Sequence, residues 1–196
     1  MRFQQYLNES RNRNLISVDI QPEYENWITF DIFDYIDFLN KQKKVLYLYN
    51  GPETIGSSDS KEVISSWLLD YGLDEFKLND FYWIDKGYGN LRGWMDQGVD
   101  KSVIKKSLRY MLQKGETDSR DIPEEEWLEK FPELEVVFDV AFEDLITLPP
   151  EIDIGFLKKW KGSFIVGGGK NECFEEIMIL LSTFNIKVKP VKKFIY

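Results

Sequence analysis

LISVDI, residues 15–20, is a short apolar, β-branched run, stopped by Pro22. Such a run reads as a strand buried on both faces. After it, Ile28, Ile32, Ile36 and Leu39 recur at helical spacing. VLYLY, Val45–Tyr49, is a second strand, closed by Asn50-Gly51-Pro52. Asp59 and Glu62 have the spacing of a capping box. The helix they open carries Val63, Ile64, Trp67, Leu68 and Tyr71 on one face, and Gly72 is a natural stop. FYWI, residues 81–84, is a third strand. Strands alternating with helices predict an α/β fold with a parallel sheet and right-handed crossovers.

The end of the chain repeats the theme. Residues 155–160 read as helix. SFIV, residues 163–166, is a buried-type strand running into Gly167-Gly168-Gly169. Asn171 is placed to cap a helix whose face holds Phe174, Ile177, Met178, Leu181 and Phe184. IKVKPV, residues 186–191, reads as an edge strand, because proline cannot donate to a central ladder. The expected sheet centres on residues 15–20, flanked by 45–49 and 163–166.

Between these halves, residues 97–150 read as a mainly helical insertion. Asp100 caps a helix with Ile104, Leu108, Met111 and Leu112 inward, and Gly115 ends it. Pro123 starts another, with Trp127 and Leu128. LEVVFDVAF, residues 134–142, leans to strand on its β-branched and aromatic content. Pro149-Pro150 marks a boundary. Residues 1–13 read as an N-terminal arm and 14–196 as a single domain containing that insertion.

Composition narrows the function. The 196 residues are 43% hydrophobic, which suits one globular domain. A net charge of −9 argues against nucleic acid or an anionic membrane surface as partner. No apolar run is long enough to span a bilayer, and MRFQQYLNESRNRN lacks the apolar core of a signal peptide. The chain has one cysteine, so no intrachain disulfide forms, and a reducing, cytoplasmic location is expected. It has no histidine, which excludes Ser-His-Asp, Cys-His and HExxH schemes and every imidazole-bound zinc. No metal or cofactor is expected.

In an open parallel sheet, ligands bind beyond the C-terminal strand ends. Asp19, Lys86 and Cys173 all fall at such ends. A thiol near a helix N-terminus, with an ammonium nearby, is expected to have a lowered pKa. Asp19 is a candidate base for the thiol proton, and N–H groups of the glycine turn, at Gly168 and Gly169, are candidate oxyanion donors. Gln21, Tyr24 and Tyr88 are candidate substrate contacts. GYGN before Arg92 lacks a phosphate-loop register. Trp83, Trp94, Trp127 and Trp160 fit core packing better than a pocket.

Two segments resemble the isochorismatase-like cysteine hydrolases. Asp19-Ile20-Gln21 with Tyr24 is similar to that family's D-x-Q-x-x-F opening, and FIVGGGKNECF, residues 164–174, to its strand, glycine and cysteine. WIDKGYGNLRGWM, around Lys86, resembles its lysine segment. The resemblance spans roughly residues 14–96 and 151–196. It implies a three-layer, Rossmann-like α/β/α fold with about six strands, with Asp19 as base, Cys173 as nucleophile and Lys86 as electrostatic partner. It also implies cleavage of a C–N bond of a small molecule through a thioester, and a cis peptide at Gly168–Gly169. The family's metal-binding branch uses histidines after its second strand; YLYNGPETIG has none.

The alternative is a binding or assembly protein that kept this fold without the chemistry. Its motives are Glu172 beside the thiol, the insertion, the wealth of aromatics and a faint likeness of FQQYLNES to virion assembly proteins of tailed phages. An aromatic-rich insertion is also a candidate homo-oligomer interface.

Overall fold

The computed structural model describes residues 13–52, 59–86, 91–138, 146–149 and 151–196. The strands are β1 (Leu15–Val18), β2 (Val45–Tyr49), β3 (Phe81–Asp85), β4 (Phe164–Gly167) and β5 (Lys189–Pro190). They form a parallel sheet in the order β3-β2-β1-β4-β5. Leu15 pairs with Val45 on one side and Phe164 on the other, so β1 is the centre. Among the described residues the sheet has five strands, where about six were expected.

Strand alternation builds two cores. Ile16, Val18, Leu46, Leu48, Ile84 and Ile165 fill one. Leu15, Val45, Tyr47, Phe81, Phe164 and Val166 fill the other. Helices α1 (Ile32–Asn40) and α2 (Lys61–Asp70) cover the second face with Tyr35, Ile36, Phe38, Leu39, Ile64 and Leu68. On the first face lie α3 (Leu91–Asp96), α4 (Lys101–Lys114), α5 (Glu124–Lys130), α6 (Glu135–Phe138), α7 (Ile154–Lys158) and α8 (Cys173–Thr183). The fold is α/β/α, with a β1–β4 switch where the chain order reverses. Among the described residues no helix is long and apolar enough to cross a membrane.

Several local expectations change. Ser60, not Asp59, caps α2, accepting the Val63 N–H at 3.3 Å. Asp59 turns inward and takes the Glu23 N–H at 2.8 Å. Residues 132–138 are helical, not strand. Phe131, Leu134 and Val137 are buried three apart, a helical period that outweighs β propensity. The remainder of 134–142 lies outside the described residues. α8 starts at Cys173 behind Glu172, and no side-chain cap from Asn171 intervenes. The last strand shrinks to Lys189–Pro190, at an edge that tolerates proline.

In residues 97–150, Ile104, Leu108, Met111 and Trp127 share the first core with β1 and β2, and no described residue enters the sheet. Asp100 and Gly115 bound α4 as expected: the carboxylate accepts the Ser102 N–H at 2.7 Å, and Gly115 has φ 86°.

At the switch point, Gly167 has φ 80°, and a Cβ there would stand 2.0 Å from the Val18 carbonyl oxygen. Backbone strain and a rigid clash combine. Gly167→Ala is therefore expected to cost about 3 kcal/mol or more in urea unfolding. A cost below about 1 kcal/mol would show that β1 and β4 are not held this closely.

Candidate active site

Asp19 directly follows β1. Its N–H continues the ladder to Leu48 O at 2.9 Å, and its φ of 49° turns the chain out of the strand. Few non-glycine residues adopt this conformation, and its cost is of order 1 kcal/mol. Tyr47 donates its hydroxyl to Ile20 O from below this turn, and Tyr196 donates its own to Asp19 O at 2.7 Å. The Asp19 side chain is fully buried.

Lys86 follows β3, with its N–H on Tyr49 O at 2.9 Å. Two strand spacings, about 10 Å, separate the ends of β1 and β3. The lysine stem crosses over β2 and brings Nζ to 3.2 Å from Asp19 Oδ2. This is an ion pair between two buried side chains. Neither Asp19 oxygen accepts a well-aligned hydrogen bond among the described residues, so the carboxylate keeps lone pairs for another proton.

Cys173 comes from the other side of β1. Gly167 and Gly168, at φ 80° and 69°, reverse the chain after β4. A Cβ on Gly168 would lie 2.8 Å from Phe174 N, so glycine lets the turn pack onto the start of α8. Gly169 O accepts the Glu172 N–H at 2.9 Å and the Phe174 N–H at 3.3 Å. No cis peptide occurs among the described residues, so the Gly168–Gly169 bond is trans; left-handed glycines make the reversal instead. The half-buried Cys173 thiol lies close enough to Asp19 and Lys86 for both charges to act on it.

The electrostatics reverse one expectation. Burial pushes the Cys173 thiol well above its ordinary pKa, and the Asp19 charge adds to this; Lys86 opposes both. The sulfur thus rests as a thiol, despite its place in the first turn of a helix. Burial alone would depress Lys86, but Asp19, the Cys173 sulfur and Glu176 outweigh it and hold the ammonium above its usual range. Glu176, one turn along α8 from Cys173, is raised by its own burial; the Arg92 N–H, donating to Oε1 at 2.7 Å, and Lys86 work against this. Tyr196 is likewise raised by burial and by Asp19.

The other candidates divide. Gln21 is fully buried, with both ends of its amide engaged: Nε2 donates to Asn50 O at 3.1 Å and Asp59 Oδ2 at 3.3 Å, and Oε1 accepts the Asn50 N–H at 3.0 Å. It ties the loop after β1 to the end of β2 and to Asp59. Tyr24 accepts from Asn50 Nδ2 at 2.7 Å and lies in the field of Asp19, Cys173 and Lys86, which places it at the rim. Trp27 stacks on it with centroids 5.6 Å apart. Tyr88 lies outside the described residues. Arg92 holds Asp96 at 2.9 Å and Asn171 O at 2.6 Å. Trp94 and Trp127 are core residues.

Comparison with protein-family models, curated proteins and solved structures found no match to this chain. The residues alone carry the reading of the site.

Sequence reasoning missed Glu176 and Tyr196. Glu176 had a signal: Cys173, Glu176, Ile177 and Leu180 fall on one helical stripe, and a carboxylate amid apolar neighbours is out of place there. Tyr196 had none, since only tertiary packing brings it to Asp19.

Because its pKa is raised, Cys173 should react with iodoacetamide in the folded protein with a pH midpoint above that of a free thiol, near 8.5. Asp19→Asn removes a negative charge and should lower the midpoint. Lys86→Met removes the opposing positive charge and should raise it, while costing about 3 kcal/mol of stability by leaving a buried carboxylate unpaired. A midpoint unmoved by both substitutions would separate the thiol from the pair.

Proposed function

We propose that this protein is a cysteine hydrolase that cleaves a C–N, amide-type bond of a small molecule, as its resemblance to the isochorismatase-like enzymes implies. The observation that carries the reading is the meeting of Asp19, Lys86 and Cys173, from three strand ends, at one edge of the sheet.

The chemistry follows from the charges. Asp19 removes the thiol proton as sulfur attacks the carbonyl carbon, so free thiolate never accumulates. Lys86 pairs with Asp19 at 3.2 Å and offsets negative charge as it develops. N–H groups of the turn at Gly168 and Gly169 are the proposed oxyanion donors. Asp19 returns its proton to the leaving nitrogen, and the C–N bond breaks to give a thioester on Cys173. Water, deprotonated by Asp19, attacks the thioester, and sulfur leaves as thiol.

A resting thiol beside a carboxylate suits this cycle, because the base must release its proton to the leaving nitrogen. Members of that family carrying the full triad are the proposed relatives in mechanism. The proposed location is the cytoplasm, and no cofactor enters the cycle.

Incubation with a panel of small primary amides should give a covalent adduct on Cys173, detected by intact mass, together with ammonia release. Cys173→Ala should abolish both. Asp19→Asn should lower turnover by about 10²-fold or more, the range of positioned acid–base catalysis. If no amide-type compound acylates Cys173 and the thiol reacts only on unfolding, the chain is the binding or assembly protein instead.

A further inference from the structure

Tyr196 meets both arms of the site. Past β5 the Val191 N–H extends the ladder to Ile165 O at 3.0 Å, and a single helical turn, Lys192–Phe194, follows. Phe194 is fully buried against the rings of Phe30, Tyr35 and Phe38, with centroids 5.3, 5.9 and 5.3 Å away. This anchor returns Tyr196 to the C-terminal end of the sheet, where its ring packs on the second core, 6.4 Å from that of Phe30. Its hydroxyl donates to Asp19 O at 2.7 Å, and its carbonyl oxygen accepts the Lys170 N–H at 2.7 Å. Lys170 directly follows the glycine turn, three residues before Cys173.

The first contact controls where the base points. A peptide unit is planar, so a hydrogen bond on each flank of a residue restrains the planes on both sides of it. The Asp19 N–H on Leu48 O, at 2.9 Å, sets the plane before Asp19; the Tyr196 hydroxyl on Asp19 O sets the plane after it. Together they hold the left-handed φ of 49°, and with it the direction of the Cα–Cβ bond. The carboxylate accepts no well-aligned hydrogen bond among the described residues, so its aim depends on this backbone and on the Lys86 pair at 3.2 Å. Burial and the Asp19 charge keep the phenol protonated, so the hydroxyl stays a donor at neutral and alkaline pH.

We propose that Tyr196 is a positioning residue for the hydrolysis: its hydroxyl aims the Asp19 carboxylate at the thiol, and its backbone ties that base to the turn carrying the nucleophile. This rests on the cysteine-hydrolase reading and deepens it. Tyr196 acts through Asp19 and takes no part in the making or breaking of bonds to the substrate. Tyr47 secures the next carbonyl of the same turn, Ile20 O, from within the core; Tyr196 adds the link to the nucleophile.

Tyr196→Phe keeps the ring and the backbone bond to Lys170 and removes only the hydroxyl. The charged groups that act on the thiol are Asp19, Lys86 and Glu176. With Asp19 released from its aim, its raising effect on the thiol weakens. The pH midpoint of Cys173 alkylation by iodoacetamide should then fall toward that of Asp19→Asn, read as a reaction at least about threefold faster at a fixed pH below the midpoint. The limiting rate at high pH should not change. In an Asp19→Asn background, Tyr196→Phe should have little effect, whereas a general loosening around the thiol would speed both backgrounds alike. Tyr196→p-aminophenylalanine, whose aniline is a weaker donor than the phenol, should give a midpoint between those of tyrosine and phenylalanine. On an amide that acylates Cys173, Tyr196→Phe should lower kcat with KM nearly unchanged. If the midpoint does not move, or moves equally in both backgrounds, this inference fails and the hydrolase reading stands on its acylation. If no amide acylates Cys173, the hydrolase reading fails and takes this role with it. If Tyr196→Phe does not fold, the p-aminophenylalanine variant decides by the same comparison: a shift confined to the background with Asp19 supports the inference, and an equal shift or none in the two backgrounds overturns it.

Discussion

A carboxylate and an ammonium are buried together above the central strand. The Asp19–Lys86 pair spans β2 from the end of β1 to the end of β3, at 3.2 Å. Two charges out of water are tolerable only as a pair, and breaking such a pair costs several kcal/mol. The surrounding structure serves that constraint. Tyr47 and Tyr196 hold the two carbonyls of the strained turn at Asp19 and Ile20. Tyr196 O also accepts the Lys170 N–H at 2.7 Å, linking the turn of the base to the turn of the nucleophile. Gln21, Asn50 and Asp59 tie the loops beneath the rim into one polar network.

Cys173 joins this system from the glycine turn, and burial controls its state. A helix N-terminus favours thiolate by a modest amount, whereas desolvation opposes any charge. Here desolvation and the neighbouring carboxylate prevail over Lys86. The result is a thiol that keeps its proton beside a carboxylate. In the proposed cycle Asp19 moves that proton both ways: it accepts the proton on attack and donates it to the leaving nitrogen. Glu176 adds a second carboxyl group next to Lys86.

The fold was legible where apolar runs and turn residues agreed. The continuous apolar character of β1, β2 and β4 announced strands buried on both faces, and the βαβ order announced the parallel sheet. What escaped depended on contacts remote in sequence. Asp59 and Ser60 both suit a cap, and only the pull of Glu23 and Gln21 decides that Asp59 faces inward. In residues 132–138, β propensity competed with a burial period of three, and packing chose the period. Asp19, Lys86 and Cys173 were legible because strand ends of one sheet must converge. The thiol's charge was not, since the spacing of residues carries no measure of desolvation.

The central claim is that Asp19, Lys86 and Cys173 form one coupled charge system. A double-mutant cycle tests it most directly: the rate of Cys173 alkylation at fixed pH in the unaltered protein, in Asp19→Asn, in Lys86→Met and in the double variant. The account predicts strong non-additivity, with a coupling of about 1 kcal/mol or more, because Asp19 and Lys86 are ion-paired and act on the thiol with opposite signs, so removing either changes what the other does. Additive effects, within about 0.3 kcal/mol, would mean that the three groups are neighbours that do not act together.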